Sequence, residues 1–143
     1  MAELWRGVIE EYRDRLPVTE ATPVVTLCEG GTPLVRSEAL SVQTGCEVLL
    51  KYEGANPTAS FKDRGMTLAI SKALEEGSKA VVCASTGNTS ASAAAYAGKA
   101  GLTCAVLVPK GQVAPGKMTG TLAHGDRVLE VEGNFDASFE LAR

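Results

Sequence analysis

Three short stretches hold residues whose types and spacing could do chemistry. The first is Asn56-Pro57-Thr58-Ala59-Ser60-Phe61-Lys62-Asp63-Arg64-Gly65. Lys62 falls where a helix starts after a Pro-containing loop. Positive charge is disfavoured at a helix N-terminus. Arg64 adds a like charge close by in sequence, and Asp63 works against both effects. A lysine so placed could act as a Schiff-base amine, since only the neutral amine attacks an aldehyde. It could equally be a solvated side chain. The second stretch is Ser85-Thr86-Gly87-Asn88-Thr89-Ser90, between a strand pattern and an Ala-rich helix pattern. Open α/β sheets bind ligands at the carboxyl ends of strands, against helix N-termini. Backbone N–H groups there, joined by Ser and Thr hydroxyls, suit a carboxylate or phosphate. Thr and Asn would also serve as plain N-caps. The third stretch, Gly111-Gln112-Val113-Ala114-Pro115-Gly116-Lys117, imitates a phosphate-binding loop. Met118 stands where magnesium ligation needs Ser or Thr, and Pro115 lacks an N–H, so this reads as a turn opening a helix.

The remaining reactive side chains exclude other chemistries. Cys28, Cys46, Cys83 and Cys104 form no CxxC pair, and His124 is the one histidine. No metal site and no disulfide are expected. Cys83 and Cys104 sit in apolar runs and read as inert buried thiols. A Cys–His or Ser–His nucleophile is not expected either.

The elements that must position these residues alternate. Leu4, Trp5, Val8, Ile9 and Tyr12 recur at helical spacing, predicting a helix over 2–16 that Pro17 ends. Short strands are expected at Leu34–Arg36 and Glu47–Tyr52, then a loop over 54–58 and a helix over Ser60–Glu76 stopped by Gly77. Strands at Ala80–Cys83, Thr103–Val108 and Arg127–Val131 alternate with helices at Thr89–Lys99, Lys117–Ala123 and Phe135–Arg143. Apolar strands alternating with helices describe βαβ units around a parallel sheet buried on both faces, an α/β fold.

The chain has 143 residues, about one domain's worth. Hydrophobic residues make up 45% and charged residues 22%, which argues against disorder. A net charge of −3 disfavours a nucleic-acid binder. No apolar run approaches the ~20 residues of a membrane span. The charged opening Met-Ala-Glu-Leu-Trp-Arg is no secretory signal, so a cytoplasmic protein is expected. The last helix pattern stops with Phe135, Phe139 and Ala142 on one face and no cap, which suits a shortened protein.

Taken together, Glu29-Gly30-Gly31-Thr32-Pro33-Leu34, the Asn56–Met66 stretch and Ser85–Thr89 resemble the threonine synthase family. Val108–Gly111 through Lys117, and Glu130–Asp136, are similar to that family as well. It consists of pyridoxal-phosphate (PLP) enzymes of the tryptophan-synthase-β type, fold type II. Thr89 after Asn88 separates the chain from serine/threonine dehydratases, which usually carry His there. Phe61, and Gly65-Met66 after Arg64, separate it from cysteine synthase.

The resemblance implies a role for each matching residue. Lys62 would bind PLP covalently as a Schiff base and later move protons at the substrate's Cα and Cβ. Asn88 would hydrogen-bond the pyridoxal 3′-oxygen. Ser85, Thr86, Asn88 and Thr89 would hold the substrate, chiefly its carboxylate, with Thr89 near its phosphate. The family reaction converts O-phospho-L-homoserine and water to L-threonine and phosphate. The resemblance also implies an N-terminal segment over 1–53 and a three-layer αβα small domain over 54–143, within a longer homodimeric protein. The loop that cradles the PLP phosphate would lie beyond residue 143, so the isolated chain is expected to be inactive. The alternatives are a non-catalytic small-domain module or a segment of a related PLP lyase. Two departures stand out: Ala59 where Gly is common, and Cys28 where Gly often precedes Glu-Gly. Ala59 would restrict its loop if a positive φ is required there.

Overall fold

A computed structural model describes residues 4–111 and 127–142 of the chain. In order these form α1 (Val8–Glu11), a 3₁₀ turn (Arg13–Arg15), β1 (Leu34–Arg36), α2 (Glu38–Thr44), β2 (Leu49–Lys51) and a 3₁₀ turn (Glu53–Ala55). Then come α3 (Lys62–Glu75), β3 (Ala80–Ala84), α4 (Asn88–Ala100), β4 (Thr103–Pro109), β5 (Arg127–Val131) and α5 (Phe135–Leu141). The expected helix over Lys117–Ala123, most of the Gly111–Lys117 turn and His124 lie outside the described residues.

β1 and β2 form an antiparallel ribbon, with Val35 opposite Leu50. The other three strands form a parallel sheet in the order β3-β4-β5, as the alternation of strands and helices predicts. Helix α4 makes the crossover from β3 to β4, which parallel pairing requires. Cys104, Val106 and Val108 project from one face of β4 into a core with Ala93, Tyr96 and Ala97 of α4 and Ile70 of α3. Leu107 and Pro109 alternate with them and are also buried, so β4 is covered on both faces. Helix α5 lies against β3 and β4. The outer strands are less covered than predicted, because a three-stranded sheet has two edges: Val82 of β3 and Leu129 of β5 are about half exposed.

Two helices differ from expectation. Of the amphipathic pattern over 2–16, the described residues 4–16 yield only α1 and one 3₁₀ turn. Gly7 enters α1 at φ 103, and Tyr12 leaves it at φ −127. Trp5 and Val8 are used instead to cover the loop at Gly30-Gly31. Helix α2 stands between the two expected strands, where the sequence reading assigns no element, yet it carries ordinary signals. Ser37 caps it by accepting the Leu40 N–H, and Gly45 closes it in the left-handed region at φ 69.

The segment before β1 is pinned to the helices that follow it. The Val25 N–H donates to Ser71 Oγ at 2.9 Å, and Thr67 Oγ1 donates to the Val25 carbonyl at 2.7 Å, both bonds buried on α3. Glu29 is the larger anchor, with its side chain fully buried. Its carboxylate accepts the Val8 N–H at 3.0 Å, the Thr26 hydroxyl at 2.9 Å, the Leu27 N–H at 3.1 Å and the Tyr96 hydroxyl at 2.9 Å. Trp5 Nε1 donates to the Glu29 carbonyl at 2.7 Å. Burial pushes the Glu29 carboxyl up, but these bonds outweigh it and hold the group below the usual carboxylate range. Burial first, then the bond to Glu29, pushes the Tyr96 hydroxyl well up. The packing also requires Gly30: at φ 98, an added Cβ would sit 2.6 Å from Val8 Cγ2.

Two predictions follow from this anchoring. A carboxyl whose folded value is depressed contributes stability above its unfolded value of 4.5 and loses it as pH falls through the folded value. The urea midpoint should therefore be flat above about pH 5.5 and fall below about 4.5, and Glu29→Gln should lower the plateau and flatten part of that fall. An unchanged acid slope in folded Glu29→Gln would contradict the assignment. The second concerns Cys28 (φ 62) and Ala59 (φ 58), non-glycine residues in the left-handed region. The positive φ feared for Ala59 is thus present. That conformation costs an L-residue about 1–2 kcal/mol, partly offset by the extra freedom glycine gives the unfolded chain. Cys28→Gly and Ala59→Gly should each raise stability by about 0.5–1 kcal/mol in a denaturant titration. A loss in both would refute the strain.

Candidate active site

Three charged residues in succession open α3, and successive helix positions point about 100° apart. Asp63 points inward and is fully buried. Its carboxylate accepts the Thr58 N–H at 2.7 Å, the Thr58 hydroxyl, and the Ser92 hydroxyl of α4 at 2.6 Å. Arg64 points to another side. It grips Glu53 with two bonds of 2.8 Å and reaches the Gly30 carbonyl at 3.0 Å and Thr32 Oγ1 at 3.1 Å. The Arg64 bond holds the Glu53 carboxyl down to about 2, and the same bond raises the guanidinium. Asn56 completes this cluster. It donates to the Glu53 carbonyl and carboxylate at 2.9 Å each, and accepts the Gly30 N–H at 2.9 Å. Arg64, expected as a like charge beside Lys62, is thus paired with Glu53 because the bidentate fit is there. Asp63, weighed only as an opposing charge, is a structural clamp.

Lys62 is left between them. Its backbone N–H donates to Ser60 Oγ at 3.2 Å. Its side chain is half-buried, with Nζ 4.6 Å from the centroid of the Phe61 ring. Among the described residues it has no carboxylate partner. Lys62 and Met66 are one helical turn apart on the same face of α3. Met66 borders a groove of about 310 Å³ with Ala69, Ile70, Val82, Thr89 and Ala93.

The second stretch lies at the carboxyl end of β3, as read. Ser85 Oγ accepts the Gly87 N–H at 3.2 Å, and Ser90 Oγ donates to the Gly87 carbonyl at 2.7 Å. The alternative of a plain Thr or Asn cap is not realised. The N-cap of α4 is Gly87, with no side-chain bond to the first turn. Thr86 and Thr89 are half-buried and Asn88 is exposed. Among the described residues no hydrogen bond occupies these three side chains. The start of a 13-residue helix therefore keeps its N–H groups and adjacent polar side chains available to an anion. The Asp63–Ser92 bond brings this end of α4 against the start of α3, and Thr89 shares the groove with Met66.

The arrangement can place an amine beside an anion-accepting helix end. Lys62, Ser85, Thr86, Asn88 and Thr89 all belong to these two neighbouring ends. Sequence reasoning missed the residues that hold them: Glu53, Asn56, Thr58, Asp63 and Ser92. The signal was a carboxylate directly beside the candidate lysine on the helix side that must be buried. Cys28 and Cys46 are exposed, Cys104 is buried, and burial pushes the half-buried Cys83 thiol up. Among the described residues no cluster of His, Cys, Asp or Glu could hold a metal ion.

Residues 25–143 match the family model of pyridoxal-phosphate dependent enzymes. The chain is 60% identical over 139 residues to threonine synthase of Mycobacterium leprae, covering 97% of this chain and 39% of that protein. It is 55% identical over 139 residues to threonine synthase of Halalkalibacterium halodurans, with the same coverage of 97% and 39%. The chain thus spans about two fifths of the length of the curated relatives it matches. The processed form of threonine deaminase isoform 2 from Solanum lycopersicum superposes with a TM-score of 0.71 at 27% identity, over 80% of this chain and 31% of that one. Maize serine racemase shares the fold, with a TM-score of 0.73 at 21% identity over 95% of this chain and 40% of that one. The parallel sheet with its flanking helices is that of fold-type-II enzymes. Since the family model spans most of the sequence, the chain belongs to the pyridoxal-phosphate dependent enzymes.

Proposed function

We propose that this chain is the lysine-bearing and substrate-holding part of a threonine synthase. The reaction is O-phospho-L-homoserine plus water giving L-threonine plus phosphate. The observation that carries the reading is the pairing of a half-buried Lys62, without a carboxylate partner among the described residues, with the uncapped start of α4. Likeness to threonine synthases through nearly the whole chain favours this reaction over those of related lyases.

The residues present fit pyridoxal phosphate and an anionic substrate. Lys62 Nζ is the amine for the cofactor's aldehyde carbon. The Asn88 side chain, unoccupied among the described residues, suits the pyridoxal 3′-oxygen. Ser85, Thr86 and Thr89, with the first N–H groups of α4, suit the substrate carboxylate, and Thr89 its phosphate. When bound, pyridoxal phosphate supplies an electron sink for carbanion chemistry. Lys62 Nζ then carries protons at the substrate's Cα and Cβ as general base and acid. The chain spans about two fifths of the length of its curated relatives, and we infer that the cradle for the cofactor's phosphate belongs to the remainder, so turnover by these 143 residues alone is not expected. Residues 1–53 form the N-terminal segment and 54–143 the small α/β domain. The site of action is the cytoplasm and the longer protein a homodimer; no described helix is long and apolar enough to cross a membrane.

The test traps the amine directly. The chain is mixed with pyridoxal phosphate, reduced with borohydride and digested, and the modified lysines are found by peptide mass. Selective modification of Lys62, lost in Lys62→Ala, is the expected result. Scattered modification of surface lysines, unaltered by Lys62→Ala, would falsify the assignment.

A further inference from the structure

We propose that Asp63 is a positioning residue for Lys62, setting the amine against the 85–89 loop from a buried site. The inference rests on the reading of Lys62 as the cofactor-bearing lysine. A buried carboxylate is costly unless its oxygens are met by donors. Asp63 is fully buried, and its three donors all belong to the frame of the lysine. Two come from Thr58, on the loop that enters α3, and one from Ser92, on the helix whose first turn carries Asn88 and Thr89. Apolar packing between α3 and α4 would join the helices without fixing their register. Charge-assisted bonds add direction.

The neighbouring contacts give this clamp its purpose. Arg64 secures the other side of the same helical turn to Glu53 and to the Gly30 carbonyl. Ala59 is held at φ 58 between Thr58 and Ser60, so the entering loop has one conformation imposed on it. With Asp63 and Arg64 both committed, the backbone at Lys62 is fixed from two directions, and of these three charged side chains Lys62 alone makes no ion pair or hydrogen bond among the described residues. Asp63 touches no reacting atom. It acts through Thr58 and Ser92 on the separation between the amine and the loop.

The experiment compares Asp63→Asn and Ser92→Ala with Tyr96→Phe. The last loses the buried bond to Glu29 and serves as a control for general loss of stability. Each folded variant is read three ways: by pyridoxal phosphate trapping at Lys62 relative to the other lysines, by reductive methylation of Lys62 with formaldehyde, and by amide exchange over Thr58–Lys62. For Asp63→Asn we expect at least a tenfold drop in Lys62 trapping selectivity, with faster exchange at Thr58. Ser92→Ala should show a several-fold drop, which keeps the test open if Asp63→Asn fails to fold. Tyr96→Phe should keep wild-type selectivity even at an equal fall in Tm. Wild-type trapping and exchange in both clamp variants would overturn the proposal. If wild-type chain shows no preference for Lys62, the functional reading fails separately. Exchange and methylation then judge Asp63 alone: changes in both support the positioning role, and wild-type values refute it.

Discussion

A carboxylate removed from water must have its oxygens met by donors, or it destabilises the fold that buries it. Among the described residues two such groups are completely buried, Glu29 and Asp63. Three of the donors that meet them lie far off in sequence: Val8 and Tyr96 for Glu29, and Ser92 for Asp63. Glu29 gathers Val8, Thr26, Leu27 and Tyr96, and so joins the N-terminal segment to α4. Asp63 gathers Thr58 and Ser92, and so joins α3 to its entering loop and to α4. The local order of both loops follows from these two requirements. Trp5 closes over Gly30-Gly31 because the Glu29 carbonyl and carboxylate fix the backbone there.

Charge is divided unevenly at the start of α3, and that division makes the site. Asp63 and Arg64 are spent on structure, each with partners that hold an oriented bond. Lys62 is held by its backbone and keeps a half-buried amine. Across from it, α4 starts at Gly87 without a side-chain cap, although Ser85, Thr86, Asn88 and Thr89 are all capable of hydrogen bonding. A helix designed only for stability would use one of them as a cap, worth about 1 kcal/mol. Leaving the first turn open retains the positive end of the helix for an anion. The two features together put a lysine without a carboxylate partner and an uncapped helix start on adjoining helix ends, among the described residues, which is the arrangement the proposed reaction uses.

The strands and the long helices were legible in the sequence because their causes are local. Apolar runs with β-branched residues mark β3, β4 and β5, and Gly77 and Gly101 stop α3 and α4 in the left-handed conformation. Lys62 and the Ser85–Thr89 loop could be picked out because residue type and position carry the chemistry. What was not legible depends on contacts distant in sequence. The helical pattern of Trp5, Val8 and Ile9 could not reveal that Glu29 would take the Val8 N–H and that α1 would be one turn long. Asp63 could be read only as a counter-charge to Lys62 because Ser92, its partner, is 29 positions away. Helix α2 is a different kind of omission, since Ser37 and Gly45 announce it locally.

The central claim is that buried carboxylates, rather than apolar packing alone, lock the loops around the lysine. A double-mutant cycle between Asp63→Asn and Ser92→Ala tests it most directly, by urea denaturation at neutral pH. A coupling energy of about 1–3 kcal/mol is expected, with the second substitution costing much less once the first is made. Additive effects within about 0.5 kcal/mol would contradict it. They would mean that the Asp63–Ser92 bond is incidental to a fold held by its apolar core.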